Sequence, residues 1–368
     1  MIISILVFLV VLSILVLVHE LGHFIMARRS GVLVEEFGFG IPPRLFGKKI
    51  GETIYSLNAL PFGGFVRLHG ESSEENITHP RRAFLNKSKK VRVGIVVAGV
   101  IMNFLLAVVA FAIVYSFLGI PKETNNVKIV EVAAGSPAQT AGILVGDIVK
   151  TIDKKDVSSN DSFVNLIEEK KGKRVTLEIE REAGSPLKKI TITPRESPPA
   201  TEGPLGVVIT TTELYYPPTW QRPFVGVYYG FKEALIWGKI IIDGFVQIFR
   251  DLASGIGPKE LAGPVGIFAI TTQAAKGGVL ELISFLGILS VNLAILNILP
   301  FPALDGGRLA FIAIESVIGK RVLPKVEAVI HTIGMIILII LLLAVTARDI
   351  QKLIAAGSIS KFVESVIK

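Results

Sequence analysis

His19, Glu20 and His23 stand in a His-Glu-x-x-His pattern. In a helix a spacing of four stacks the two imidazoles on one face, where their nitrogens can converge on a single tetrahedral metal. Glu20, beside the first ligand, can reach a water on that metal. Such a set hydrolyses carbonyl compounds. Zinc lowers the pKa of its water toward ~7, and the carboxylate takes the proton as hydroxide attacks, then returns it to the leaving amine. The pattern arises by chance about once per hundred chains of this length from ordinary residue usage, so its setting has to decide.

That setting is an apolar stretch. Met1 to Val18 is apolar except for Ser13, and the run continues through His23 to Ala27 before the first charges after the motif, Arg28 and Arg29. It is long enough to cross a ~30 Å hydrocarbon core. It lacks the leading cations and small-residue cleavage site of a signal peptide, so it reads as a retained helix. An ionisable residue inside such a helix costs about 2.5 to 3.5 kcal/mol on insertion scales and is rarely kept without a partner or a role. The plainer alternative is a cluster at the cytoplasmic end of the helix, where side chains reach water.

The site needs a third ligand. The apolar stretch Val291 to Pro300 leads into Phe301-Pro302-Ala303-Leu304-Asp305-Gly306-Gly307. Pro300 and Pro302 interrupt the helix and turn the chain so that the Asp305 carboxylate can point into a cavity at membrane depth. Without the histidine motif, the Asp-Gly pair would read as a simple turn.

The elements that must position these residues are mostly apolar helices. Half the 368 residues are hydrophobic (51%) and strongly clumped, and four spans are expected, over 1–27, 93–120, 278–307 and 326–346. A net charge of +8 could suggest a nucleic-acid partner, but the cations sit beside the spans, which implies a lipid bilayer and no nucleic acid. Residues 28–92 carry twelve Lys or Arg and should be cytoplasmic. The connection 308–325, with Lys320, Arg321 and Lys325, should lie on the same side. Alternation then places both termini, residues 121–277 and the tail 347–368 outside. There is no cysteine, so disulfides give no clue to compartment.

Within 28–92, residues 31–70 read as short strands and turns, forming a hairpin that lines a cavity and leaves one sheet edge free to pair with an extended substrate. Residues 121–212 read as a soluble α+β domain. Residues 213–277 read as a linker with amphipathic helices lying on the outer surface, although Gly226 to Ile242 is apolar enough to be taken for a span. His69 and His79 are expected to be solvated, and His331 to bond a neighbouring helix or sit at the interface.

Span one with His19, Glu20 and His23, and span three with Asn297, Pro300, Asp305 and Gly306, resemble the paired signatures of the site-2 protease family. The bacterial regulator-of-sigma-E type, which cleaves membrane-bound anti-sigma factors, is the nearest likeness. Gly99 to Asn103 resembles that family's Gly-x-x-x-Asn motif. Phe37-Gly38-Phe39-Gly40 and Pro61-Phe62-Gly63-Gly64 resemble its membrane-associated β region, and Leu261 to Ile267 its segment ahead of span three. Gly135-Ser136-Pro137-Ala138 with Ala141 to Val149 is similar to a bacterial PDZ signature, and Pro204-Leu205-Gly206-Val207 to its peptide-binding loop in circularly permuted form.

The resemblance implies an α-helical polytopic membrane protein of four transmembrane helices with a membrane-associated β region and one inserted α+β PDZ domain, located in the cytoplasmic (inner) membrane. It implies a zinc-dependent metalloendopeptidase with Zn2+ on His19, His23 and Asp305, and Glu20 as base. Asn297, Asn103 and Pro300 would lie near the scissile peptide, and Gly206 in the peptide loop. The implied substrate is a single-span membrane protein, anti-sigma-factor-like or a signal-peptide remnant, already shortened on its outer side by another protease, so that this cut is the site-2 step of regulated intramembrane proteolysis. The PDZ domain would either bind chain ends or exclude bulky substrates. From a different class comes the alternative of a non-catalytic membrane adaptor whose metal staples spans one and three.

Overall fold

The computed structural model describes residues 2–71, 77–181, 184–199, 202–255 and 262–367. They form two compact units, Leu118–Pro218 and the remainder, Met1–Phe117 with Thr219–Lys368. The larger unit opens with α1, Ile2–Arg29, one unbroken helix because no residue before Gly22 disfavours helix strongly. Arg28 and Arg29 close it, where cations complement the negative end of the helix dipole.

Two long extended segments follow, β1 (Val34–Ile50) and β2 (Thr53–Leu68), in place of the short strands expected there. They pair antiparallel, Val34 opposite Leu68 and Ile50 opposite Thr53, but the register doubles back. Phe37 faces both Val66 and Tyr55, and Gly38 faces both Phe65 and Ser56. The first half of β1 is therefore flanked on both sides, and residues 64–68 form an outer edge. Among the described residues no other strand pairs with that edge. Glu36, 2% exposed, sits inside this sheet, which is possible because Arg44 and the Ser56 hydroxyl donate to its carboxylate.

His69, expected in solvent, is buried instead. Its ring pairs with Glu35 at 2.7 Å and accepts the His79 backbone N–H at 3.1 Å. It ties the end of β2 to the loop leading into α2 (Lys89–Leu118). His79 is exposed as expected. At the start of α2, Arg92 is buried against Glu315 at 2.6 Å.

The inserted unit contains β3 (Ile120–Val132), α3 (Pro137–Thr140), β4 (Ile148–Ile152), β5 (Lys155–Asp156), α4 (Asn160–Glu168), β6 (Val175–Glu180), β7 (Lys188–Ile192) and β8 (Val207–Tyr215). Its antiparallel sheet runs β7-β6-β4-β3-β8, with β5 on β4. Period-two alternation buries Val175, Leu177 and Ile179 with Val127, Ile129, Val149 and Ile152 in one core. Ser136 caps α3 with Pro137 at its first position, and Ser159 and Ser162 form a capping box on α4. Buried Asp147 accepts the Leu144 N–H and is paired by Arg181 at 2.9 Å. Gly206, at φ 71, opens β8. Its carbonyl accepts the Ala133 N–H, and its own N–H closes a turn on Gly203.

The larger unit resumes with α5 (Arg222–Ala253), α6 (Pro264–Gly277), α7 (Val279–Ile298), α8 (Asp305–Ile318), α9 (Pro324–Ala356) and α10 (Ile359–Ile367). Among the described residues four helices are long and apolar enough to cross a membrane: α1, α2, α7 and Lys325–Ala356 of α9. The long helix α5 is not among them. Residues 308–325, expected as a loop, continue α8 to Ile318, and within the expected tail 347–368 the described residues continue α9 to Ala356 and form α10. Leu261 lies outside the described residues, and Pro264 starts α6. Asp349, 1% exposed on α9, accepts the Gly266 N–H at 2.8 Å and so satisfies the open N-terminus of α6. Phe362 and Val363 of α10 pack on Ala269 and Leu353.

Candidate metal centre

α1 carries His19 and His23 one turn apart, both buried, with ring centroids 4.7 Å apart and planes at 86°. Each ring is held from its far edge. The Nδ1–H of His23 donates to the Ile95 carbonyl of α2 at 2.8 Å, which leaves Nε2 as the lone-pair nitrogen. His19 presents Nδ1 to the Asn103 carboxamide at 3.3 Å. The two Nε2 atoms are 3.1 Å apart.

Asp305 arrives from the other end of the chain. α7 stops at Ile298, because Leu299 is extended (ψ 139) and Pro300 follows. The next residues turn through Ala303, at φ 74, and α8 begins at Asp305 itself. The glycine after Asp305 is there for close approach and not merely for a turn. A Cβ on Gly306 would stand 1.9 Å from the Leu299 carbonyl oxygen, so the first turn of α8 lies directly on the backbone it has just left. Asp305 Oδ2 then sits 2.9 Å from His19 Nε2 and 3.1 Å from His23 Nε2.

Two imidazole nitrogens and one carboxylate oxygen at mutual separations of 2.9 to 3.1 Å fit one small divalent cation. Two histidines and one carboxylate with a fourth position left open suit catalytic zinc. The contact between α1 and α2 is close enough to permit this only because of glycine. A Cβ on Gly99 would lie 2.5 Å from His23 Nε2 and 2.7 Å from His19 Cε1, and one on Gly22 would lie 2.3 Å from the Ala98 carbonyl.

Glu20 is half-buried and opens on a cavity of about 410 Å³, which His23, Asp305, Phe65, Val66 and Arg308 also line. The free edge 64–68 of the sheet is one wall of it, and a Cβ on Gly64 would lie 3.7 Å from Glu20 Cγ. Of the other expected site residues, Asn297 Nδ2 lies 3.4 Å from His19 Nε2. Pro300 is exposed in the turn between α7 and α8. Gly206 belongs to the inserted unit, where a Cβ would meet Ser136 Cβ at 2.4 Å.

Two residues not expected at the site contribute to it, and a third, His331, was expected only to bond a neighbouring helix or sit at the interface. The Ile95 carbonyl orients His23 but has no side-chain signature. Arg308, one turn after Asp305 on the same helix, pairs with Glu71 at the end of β2. His331 of α9 accepts the Ala303 backbone N–H at 2.9 Å and so props the turn that carries Asp305. Arg308 could have been found from its spacing to Asp305, and His331 from its place at the start of the fourth apolar stretch.

Comparison with known proteins matches residues 7–341 to Peptidase family M50. A Clostridium perfringens protein with a provisional zinc-metalloprotease name is 36% identical, over 92% of this chain and 96% of its own length. A Clostridium acetobutylicum protein named in the same way is 34% identical over 92% and 94%. The zinc metalloprotease RasP of Oceanobacillus iheyensis is 28% identical over 94% and 98%. Among solved structures, the PDZ domain of an SdrC-like protein from Listeria monocytogenes is 21% identical, covering 23% of this chain and 88% of that domain, with a TM-score of 0.20. So low a score carries no argument about the inserted unit.

Proposed function

The chain belongs to Peptidase family M50, and from that premise we propose that it is an intramembrane zinc metalloendopeptidase of the site-2 type. The observation that carries this reading is the convergence of His19 Nε2, His23 Nε2 and Asp305 Oδ2 within 3.1 Å, with Glu20 opening on the cavity beside them.

His19, His23 and Asp305 would hold the zinc. When bound, zinc supplies a Lewis acid and brings the pKa of a coordinated water toward ~7. Glu20 accepts a proton from the attacking water and delivers it to the departing amide nitrogen. The Asn297 carboxamide, on the Nε2 side of His19, donates to the carbonyl oxygen as negative charge develops on it. The edge 64–68 holds the unwound substrate as an added strand, its backbone paired and its side chains alternating toward Phe65 and Val66. Three protein ligands and an adjacent base facing a cavity support catalysis over a metal that only staples helices, which would need closed coordination.

α1, α2, α7 and α9 would span the cytoplasmic membrane, with residues 28–92 on the cytoplasmic side and the inserted unit outside, as the cations beside the spans suggest. The sheet order and capped helices of residues 118–218 support the PDZ reading of that unit. It would meet single-span substrates that another protease has already shortened. The proposal is tested with detergent-purified protein and a single-span peptide substrate. Cleavage within the apolar segment should stop on zinc chelation and return on zinc addition. Cleavage that persists in chelator would refute it.

A further inference from the structure

The two asparagines that the family likeness assigns together to the scissile peptide stand on opposite nitrogens of one imidazole. Asn297 Nδ2 lies 3.4 Å from His19 Nε2, on the side that faces Asp305 and His23. Asn103 Nδ2 lies 3.3 Å from His19 Nδ1, on the far side. Asn103 is 0% exposed, lines none of the cavity beside Glu20, and is fixed from behind by the Ser290 hydroxyl, which donates to its backbone carbonyl at 2.8 Å. Its Oδ1 is buried with no hydrogen-bond partner. A substrate cannot reach it without parting α1 from α2, where Gly99 already brings the two helices into contact.

We infer that Asn103 is a positioning residue for the metal ligand His19, selecting the tautomer that binds, and not a substrate contact. This rests on the metallopeptidase reading above. A neutral imidazole carries one proton. With the Asn103 amide group toward the ring, Nδ1 must accept, and the proton sits on Nε2, donated to Asp305. Ligation through Nε2 requires the other tautomer, with the proton on Nδ1 and an acceptor facing it. The Asn103 carboxamide is the group at hydrogen-bond distance from Nδ1, and half a turn about its last side-chain bond brings its oxygen there. The one side chain thus serves both tautomers. Its buried oxygen gains the partner it otherwise lacks when His19 ligates through Nε2. His23 needs no such device, because the Ile95 carbonyl can only accept and holds that ring in the binding tautomer permanently.

The test is zinc affinity, measured by competition with a chromophoric chelator on the full chain in detergent, together with the visible spectrum of the cobalt-substituted protein. Asn103→Leu keeps the number of side-chain heavy atoms and removes the acceptor. It should weaken zinc binding by about 10- to 100-fold and alter the cobalt spectrum, while the thermal midpoint of the chelator-treated protein stays near that of wild type. Asn103→Asp keeps an acceptor and should bind zinc within about threefold of wild type. If Asn103→Leu does not fold, Asn103→Ala takes its place in the comparison. Wild-type zinc affinity in Asn103→Leu or Asn103→Ala, with only KM raised, would overturn the inference and return Asn103 to the substrate. Equal weakening in the Asp and Leu variants would also overturn it, because an acceptor would then not matter. If wild-type protein binds no zinc or cuts no substrate, the proposed function fails. If wild type binds and cuts while the acceptor-free variant binds equally well, this inference alone fails.

Discussion

Gly99 on α2 lies against His23 on α1 so closely that a single added carbon would stand 2.5 Å from the ring's Nε2. That contact lets α2 close on the face of α1 that carries the two candidate ligands. The Ile95 carbonyl, one turn earlier on α2, reaches His23 Nδ1 only because nothing intervenes at residue 99. The first prediction follows. Gly99→Ala should cut zinc stoichiometry well below one per chain, with helix content unchanged by circular dichroism. Gly306→Ala should do the same from the other side, because its Cβ would stand 1.9 Å from the Leu299 oxygen and α8 would have to carry Asp305 away. Full zinc loading in both variants would show that the packing tolerates what the distances forbid.

His331 supports the turn that presents Asp305. It accepts the Ala303 N–H at 2.9 Å, and Ala303 is held at φ 74, a conformation that costs an L-residue about 1 to 2 kcal/mol. His331→Phe retains an aromatic ring beside Phe311 and removes the acceptor. Losing one such bond is worth about 0.5 to 1.5 kcal/mol, so zinc affinity should fall by roughly two- to tenfold. Ala303→Gly should raise the thermal midpoint. Unchanged zinc affinity in His331→Phe would mean that the turn holds its shape unaided.

Acid should loosen the inserted unit. Glu180 accepts the Gly184 N–H at 2.6 Å and pairs with Lys150 at 3.0 Å, and these contacts hold its carboxyl below the usual range. Asp153 is held low in the same sense by the Thr176 N–H and by Lys170. A carboxyl whose pKa is lower folded than unfolded contributes stability at pH values above its unfolded pKa of roughly 4, and loses that contribution as pH falls through its folded value. Amide exchange in β4 and β6 of the full chain should therefore follow intrinsic chemistry from neutral pH down to about pH 5, and become faster than that chemistry explains below about pH 4. Glu180→Gln should flatten that acid response. An acid response equally steep in the variant would remove Glu180 from the account.

Much of the site was legible because its chemistry is written in residue type and spacing. The His19–His23 pair and its neighbouring Glu20 need only helical geometry, and α1 supplies it without interruption. Asp305 could be picked out because two prolines guarantee a break before it, and the break is where α7 ends and α8 begins. The inserted unit was legible as α+β because its strands alternate, with Val175, Leu177 and Ile179 buried together. What escaped was set by contacts between distant segments. His69 sits in a polar stretch and looks solvated, yet Glu35 from β1 and the His79 backbone enclose it. Gly99 opens a stretch that resembles the family's Gly-x-x-x-Asn motif, and Gly306 follows Asp305 in what alone reads as a turn. Only the facing atoms, His23 and the Leu299 carbonyl, show that a side chain at either place would displace a residue of the candidate metal centre. Asn103 was grouped with Asn297 by family likeness, and the two edges of the His19 ring separate them. The doubled register of β1 could not be read from a strand pattern, because Phe37 has two cross-strand partners rather than one.

On the proposed function, a metal site divided between α1 and α8 hydrolyses peptide bonds with Glu20 as its base. Glu20→Gln keeps the side chain's shape and leaves all three candidate ligands in the chain, so the purified variant should bind zinc in the same stoichiometry as wild type. Its rate of cutting a single-span substrate should fall by about 10²- to 10⁴-fold, the usual contribution of a positioned general base. Zinc-loaded Glu20→Gln protein that cuts at the wild-type rate would contradict the account.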